Sequence, residues 1–157
     1  MKVARLTLSD RASAGIYEDL SGPEIERVLT EGGFSVDEWI RMVLPDEQGE
    51  LERLLRRLAD TDNTDLILTT GGTGPAPRDI TPEATRAVLD RELPGFGELM
   101  RMQSFARVPT AILSRATAGT REKSLIINLP GNPKAVGECL PMLLPAIREA
   151  LRHLNGG

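Results

Sequence analysis

The chain has 157 residues, a formal net charge of −4, 40% hydrophobic and 27% charged residues. That length and apolar content suit one packed domain over residues 1–157. The acidic balance and the 3% aromatic content speak against a nucleic-acid partner. The single Cys139 rules out an internal disulfide framework and points to a reducing compartment, hence the cytoplasm. One Cys and one His do not complete a zinc site. No apolar run approaches membrane-span length, and the N-terminus enters a strand pattern at once, without signal-peptide character.

The first strand is expected at Val3–Leu8, followed by a polar loop from Ser9 to Ser21. A helix from about Pro23 to Glu31 should stop at Gly32-Gly33. Phe34–Val43 reads as a second strand. Pro45-Asp46-Glu47 then opens a helix in which Leu51, Leu54, Leu55 and Leu58 fall at i, i+3, i+4 and i+7. The third strand is Asp65–Thr69.

The most informative stretch comes next, Thr70-Gly71-Gly72-Thr73-Gly74-Pro75-Ala76-Pro77-Arg78-Asp79-Ile80-Thr81-Pro82. Thr81-Pro82 reads as an N-cap hydroxyl followed by proline at the first helical position. A glycine-rich loop that leaves a strand and enters a helix offers free N–H groups and a positive dipole end to an anion. The spelling is not that of the common phosphate loops. No Lys follows the glycines as a Walker loop requires, and Pro77 stands where the dinucleotide fingerprint has its third glycine. A tight turn that needs glycine only for positive φ explains the same residues.

Beyond the loop, helices are expected at Pro82–Asp90 and Pro94–Ser104, and strands at Thr110–Ala118 and Lys123–Asn128 around a turn at Gly119. The last segment, Pro133 to about Leu154, carries one apolar face. Pro141 and Pro145 inside it predict a kink or a break into two helices. Cys139 and His153 read as structural.

Alternating strands and helices predict a three-layer α/β fold, a mostly parallel sheet with helices on both faces. Ligands then bind beyond the carboxyl ends of the strands. The loops expected there hold Ser9, Asp10 and Ser13; Asp46; the glycine loop through Asp79; and Pro130, Gly131, Asn132 and Lys134. Asp46 and Asp79 together could hold a divalent cation, since Mg²⁺ is commonly bound by one or two carboxylates plus substrate phosphates. Each has a plainer reading: Asp46 as a helix cap, Asp79 as a charge facing a helix dipole, Asn132 as a helix start, Ser9 and Ser13 as turn residues.

Taken in order, Ser9-Asp10-Arg11-Ala12-Ser13-Ala14-Gly15, Pro45-Asp46, Thr70-Gly71-Gly72-Thr73-Gly74, Arg78-Asp79-Ile80-Thr81-Pro82-Glu83-Ala84, Ser114-Arg115-Ala116 and Asn128-Leu129-Pro130-Gly131-Asn132-Pro133-Lys134 resemble the molybdopterin adenylyltransferases of the MoaB/Mog type. The resemblance runs from residue 1 to about residue 150. Pro94-Gly95-Phe96-Gly97-Glu98 and Pro109–Arg115 resemble the Mog branch more closely.

The resemblance implies the MoaB/Mog-like molybdopterin-binding fold and transfer of AMP from ATP to the terminal phosphate of molybdopterin. It implies Asp46 and Asp79 as catalytic and Mg²⁺-binding residues, with Gly71, Gly72, Thr73, Gly74, Ser9, Asp10 and Ser13 on the nucleotide side. Ser114, Arg115, Pro130, Gly131, Asn132 and Lys134 would serve molybdopterin. It also implies a homotrimer and handover of product to a metal-insertion enzyme. Two other functions fit the same residues: a molybdopterin-binding protein acting in metal insertion without adenylylation, or a nucleotide hydrolase like the CinA proteins, whose second domain 157 residues would not accommodate.

Overall fold

The computed structural model describes residues 1–157. Its centre is a sheet of six strands in the order β2-β1-β3-β6-β5-β4. The strands are β1 (Lys2–Leu8), β2 (Glu38–Leu44), β3 (Leu66–Thr70), β4 (Arg91–Glu92), β5 (Ala118–Arg121) and β6 (Ser124–Leu129). β2, β1, β3 and β6 are parallel, β5 pairs antiparallel with β6, and the edge strand β4 pairs antiparallel with β5. The helices are α1 (Asp10–Ser13), α2 (Ser21–Glu31), α3 (Gln48–Asp60), α4 (Thr81–Val88), α5 (Gly95–Phe105) and α6 (Pro133–Leu154).

The sheet separates two apolar layers, as the period of two along a strand requires. Val3, Leu66, Leu68, Leu125 and Ile127 face α2, α5 and α6. Ala4, Leu6, Ile67 and Ile126 face α3 and α4. Both faces of the central strands are therefore dry, and β3 is buried along its whole length. The leucine stripe of α3 lies in the second layer, as its spacing predicts. α2 ends as the double glycine predicts. Gly33 has φ +83°, its N–H donates to Thr30 O at 3.1 Å, and Phe34 N–H donates to Leu29 O at 3.0 Å. These are the paired bonds of a left-handed helix stop.

Four expectations are corrected. Thr110–Leu113 is not a strand but part of a 3₁₀ turn at Pro109–Leu113, and Ser114–Thr117 follow without regular structure until β5 begins. Ile112 and Leu113 are exposed, so their apolar character reflects no buried strand face. The reversal between β5 and β6 falls at Glu122-Lys123, with Glu122 at φ +50°, and Gly119 lies inside β5. The second strand begins only at Glu38, and a short edge strand, β4, follows the α4 segment. Finally, α6 runs unbroken through Pro141 and Pro145. Val136, Cys139, Leu140, Leu143, Leu144 and Ile147 are buried against the sheet, and that packing keeps one helix where propensity alone would end it.

One polar group sits deep in this framework. Asn128 on β6 is fully buried. Its Nδ2 donates to Thr69 Oγ1 at 3.1 Å and Thr85 Oγ1 at 2.9 Å, and its Oδ1 accepts from Thr117 N at 3.2 Å. The knot fixes α4 and the segment before β5 to the end of β3, where the glycine loop leaves the sheet.

Candidate active site

The chain leaves β1 toward β2 on one side and returns through α3 to β3 on the other. Strand order therefore reverses beside β1, and the crevice at the carboxyl ends of β1 and β3 is the expected ligand position of such a fold. The loops after β1, β2, β3 and β6 meet there.

The glycine loop is held from several directions. Thr81 is buried; its Oγ1 donates to Gly71 O at 2.9 Å and its N–H to Gly72 O at 3.1 Å. Ile80, not Thr81, occupies the cap position of α4, so the threonine hydroxyl ties the loop back onto the helix instead of capping it. Gly71 and Gly72 have φ +96° and +69°, and a Cβ on Gly71 would stand 2.4 Å from Leu8 O. These two glycines are required by backbone shape and close approach. Gly74 has no positive φ, and a Cβ there would meet only Asp79 Oδ2, at 2.8 Å. Thr73 is buried, and its carbonyl accepts from Arg115 N–H at 2.8 Å.

The first loop folds as the short helix α1. Ser9 Oγ accepts from Ala12 N at 3.1 Å, and Ser13 Oγ donates to Asp10 O at 3.0 Å. Asp10 and Asp46 bond reciprocally. Asp10 N–H donates to Asp46 Oδ2 at 3.2 Å, and Asp46 N–H donates to Asp10 Oδ1 at 2.9 Å. Arg78 completes the group, donating from Nε and Nη2 to the Asp10 carboxylate at 2.7 and 3.0 Å. The Arg78 guanidinium holds the Asp10 carboxyl below the usual carboxylate range.

Asp46 is in the opposite condition. Its Oδ1 is buried without a hydrogen-bond partner, 3.1 Å from where a Cβ on Gly72 would lie. Burial pushes its carboxyl up, and the negative charges of Asp10 and Asp79 act in the same direction. Asp46 does not cap α3; Glu47 occupies that position. An orphaned carboxylate oxygen between a second carboxylate and a phosphate-type loop is the chemistry of a cation site completed by a substrate's oxygens. The donor chemistry of Asp46 fits a hard cation such as Mg²⁺.

Arg115 lies outside any strand, in the segment after the 3₁₀ turn. Its Nε donates to Gly74 O at 2.9 Å and its Nη2 to Asp79 O at 2.7 Å, while Nη1 pairs with Glu83. One guanidinium therefore spans both ends of the glycine loop and the first turn of α4.

The loop after β6 closes the other side. Thr70 Oγ1 donates to Pro130 O, Ser21 Oγ to Gly131 O at 3.2 Å, and a Cβ on Gly131 would lie 3.2 Å from Gly71 Cα. Asn132 caps α6, its Oδ1 accepting from Ala135 N at 2.8 Å. Lys134 is exposed on the first turn of that helix.

Beside this loop opens a cavity of about 210 Å³, lined on its loop side by Thr73, Ser114, Pro130, Gly131 and Asn132. Met100, Arg101 and Ser104 of α5 and Glu138 and Cys139 of α6 complete the lining. Loop motifs do not reveal these helical residues; only the meeting of the two helices does. The Cys139 thiol is buried, contacts Ser104 Oγ at 3.3 Å, and is pushed up by burial, so it is not an activated nucleophile.

The fold defines an α/β protein with a mixed six-stranded sheet and a crevice at the carboxyl ends of its central strands. The sequence comparison specifies the family: residues 4–149 match the model described as a probable molybdopterin binding domain, and the chain belongs to that family. A relative from Helicobacter pylori (strain ATCC 700392 / 26695), named molybdopterin adenylyltransferase, is 58% identical over 142 residues, 90% of this chain and 81% of the relative. The crystal structure of the molybdopterin biosynthesis enzyme MoaB from Thermus thermophilus superposes with a TM-score of 0.89 at 47% identity, covering 99% of this chain and 97% of that one. The molybdopterin biosynthesis Mog protein from Mycobacterium ulcerans superposes with a TM-score of 0.89 at 37% identity, covering 98% of each chain. The similar structures thus carry both branch names, and the closer likeness to Mog expected from the local motifs is not separated from likeness to MoaB.

Proposed function

We propose that this protein is a molybdopterin adenylyltransferase, moving AMP from ATP to the terminal phosphate of molybdopterin. An oxygen of that phosphate bonds to the α-phosphorus, the bond between that phosphorus and the bridging oxygen breaks, and pyrophosphate leaves. The observation that carries the reading is the orphaned Oδ1 of Asp46, buried against the glycine loop in the β1/β3 crevice. Relatives that share most of the chain are named for this activity.

Phosphoryl-type transfer requires positioning and charge stabilisation more than covalent participation by protein. In this reading Asp46 and Asp79 hold Mg²⁺, which neutralises charge on the triphosphate. N–H groups of the Gly72–Gly74 part of the loop serve the phosphates, with the positive dipole end of α4 behind them. Ser9, Asp10 and Ser13 shape the nucleotide side by building α1, and Asp10 together with Arg78 fixes the Asp46 backbone. The cavity lined by Ser114 and the Pro130–Asn132 loop takes molybdopterin, with Lys134 an exposed cation on the first turn of α6. Arg115 keeps the glycine loop in shape.

No helix is long and apolar enough to cross a membrane. The reading places the enzyme in the cytoplasm, as a homotrimer that passes adenylylated molybdopterin to a metal-insertion enzyme. An exposed apolar face supports self-association: Met102 is 73% and Ile112 62% exposed, with Phe105, Val108 and Leu113 exposed in the same α5 and 3₁₀ region. The test is incubation of the purified protein with molybdopterin, ATP and Mg²⁺. Adenylylated pterin and pyrophosphate are expected in equal amounts. Binding of molybdopterin without turnover would identify a binding protein, and ATP cleavage independent of molybdopterin a hydrolase.

A further inference from the structure

The cavity beside the glycine loop is lined by two unlike sets of residues, one from loops and one from helices, and the difference assigns an orientation to the substrate. Thr73 belongs to the loop that carries Asp79, and Pro130 and Gly131 to the loop after β6, which packs against Gly71. The reacting phosphate has to lie on that loop side. The rest of the substrate then extends toward α5 and α6.

On the helical side the chemistry is narrow. Of the residues lining the cavity, Glu138 is the single carboxylate and Arg101 the single cation. Glu138 has one ionic partner, Arg107, whose Nη1 lies 3.4 Å from Oε2. That distance is beyond an ordinary N–H···O hydrogen bond, so the carboxylate retains acceptor capacity. Arg101 is anchored through Nη1 alone, which donates to Ser114 O at 3.3 Å and Ala116 O at 2.8 Å. Its Nε and Nη2 make no hydrogen bond within the protein. Met100 and Ala116 add apolar surface suited to the face of a flat ring.

A pterin carries a 2-amino-4-oxopyrimidine edge. The amino group and the neighbouring ring N–H are two parallel donors, and the oxo group beside them is an acceptor. A carboxylate receives two parallel N–H bonds, and a guanidinium donates to a carbonyl. We propose that Glu138 accepts from the amino and ring N–H groups of the pterin while Arg101 donates to its oxo group. The two thereby act as specificity-determining residues for the heterocycle. The inference rests on the adenylyltransferase reading for the placement of the phosphate.

Fluorescence titration with 6-hydroxymethylpterin and with its 2-oxo analogue, a lumazine, tests it. The lumazine replaces the amino donor by an acceptor aimed at Glu138. Wild-type protein should prefer the pterin by about tenfold or more. Glu138→Gln should weaken pterin binding by about ten- to a hundredfold and remove the preference, because an amide cannot accept both bonds. Its ATP affinity and melting temperature should stay near wild type. Arg107→Ala removes the partner of Glu138 and should leave pterin binding intact, which a purely structural role for the pair would not. Should Glu138→Gln fail to fold, Glu138→Asp, with the carboxylate drawn back by one methylene, carries the same expectation. Equal binding of the two heterocycles by wild type, no binding of either, or unchanged pterin affinity in the Glu138 variants would overturn the assignment. Turnover by a wild type that shows no pterin preference would sink this inference alone. Glu138-dependent pterin binding without turnover would sink the transferase reading alone.

Discussion

Asp10 and Asp46 each donate a backbone N–H to the other's carboxylate, at 3.2 and 2.9 Å. The exchange locks the loop after β1 to the loop after β2, and it satisfies only one oxygen of Asp46. The other is left buried and unpaired. Such a group opposes folding and favours a cation. Asp46→Asn keeps the shape and removes the charge from beside Asp10 and Asp79. Adenylylation should fall by at least about a hundredfold, on the scale of one lost electrostatic stabiliser. The melting temperature should be unchanged or raised, since functional sites are often stability liabilities. Thermal melting beside the turnover assay checks both; wild-type turnover in the variant would remove Asp46 from the mechanism.

Gly72 and Gly74 separate shape from chemistry. A Cβ at Gly72, with φ +69°, would stand 2.3 Å from Thr81 Oγ1. Gly72→Ala should therefore destabilise by on the order of 2 kcal/mol or more, from left-handed strain and the loss of the Thr81 tie. Gly74→Ala displaces only the end of the Asp79 carboxylate. Its melting temperature should move little while ATP affinity and turnover drop. A melting loss at Gly74 equal to that at Gly72, with ATP affinity unchanged, would make the whole loop structural.

Much of this site is legible in the order of the residues alone. The glycine run, the Leu51–Leu58 stripe and the Gly32-Gly33 stop are short-range signals, and each fixes a local shape. What stays hidden depends on contacts across the fold. Pro141 and Pro145 forbid a helix locally, but the buried face of α6 outweighs them. Thr81 looks like a cap in sequence, yet its hydroxyl reaches Gly71 O, ten positions back. Arg115 looks like a free anion partner, and only the folded chain shows its guanidinium bonded to Gly74, Asp79 and Glu83.

That last contact changes the expected phenotype of Arg115. A pterin-side anchor would, when removed, weaken molybdopterin binding alone. A clamp on the loop weakens both substrates, because the loop and Asp79 shift together. Arg115→Ala should reduce affinity for ATP and molybdopterin alike and lower turnover by about ten- to a hundredfold. Arg115→Lys should not restore it, since one ammonium does not reproduce the spread donors of a guanidinium. Calorimetric titration of each ligand decides between the roles; a loss confined to molybdopterin would reinstate direct contact.

The Glu83–Arg115 pair also sets a pH dependence. The Arg115 guanidinium holds the Glu83 carboxyl below its ordinary value. A depressed acid contributes stability that is fully present above its unfolded value, about 4.3, and is lost as pH falls through the lower folded value. Glu83→Gln should therefore melt below wild type at pH 7, and the gap should close as pH drops below about 4. The pair is partly exposed, so the effect should be modest and weakened by salt. A gap that persists unchanged at about pH 3 would mean that Glu83 acts through packing rather than charge.

The exposed face of α5 and the 3₁₀ turn carries the last expectation. Met102, Phe105, Val108, Ile112 and Leu113 leave apolar area in water that a monomer gains nothing by exposing. Burying it between copies would stabilise an assembly by roughly 25 cal/mol for each Å² of apolar surface removed from water. Sedimentation of the wild type should show a trimer. Ile112→Glu places a charge in that face without touching the buried layers, because Ile112 is 62% exposed in the single chain. It should shift the population toward monomer while the far-ultraviolet circular dichroism of the fold persists. The turnover of that monomer then tells whether each chain holds a complete site: the crevice residues named above all come from one chain, so activity per subunit should survive. A variant that remains trimeric would place the contact elsewhere on the surface.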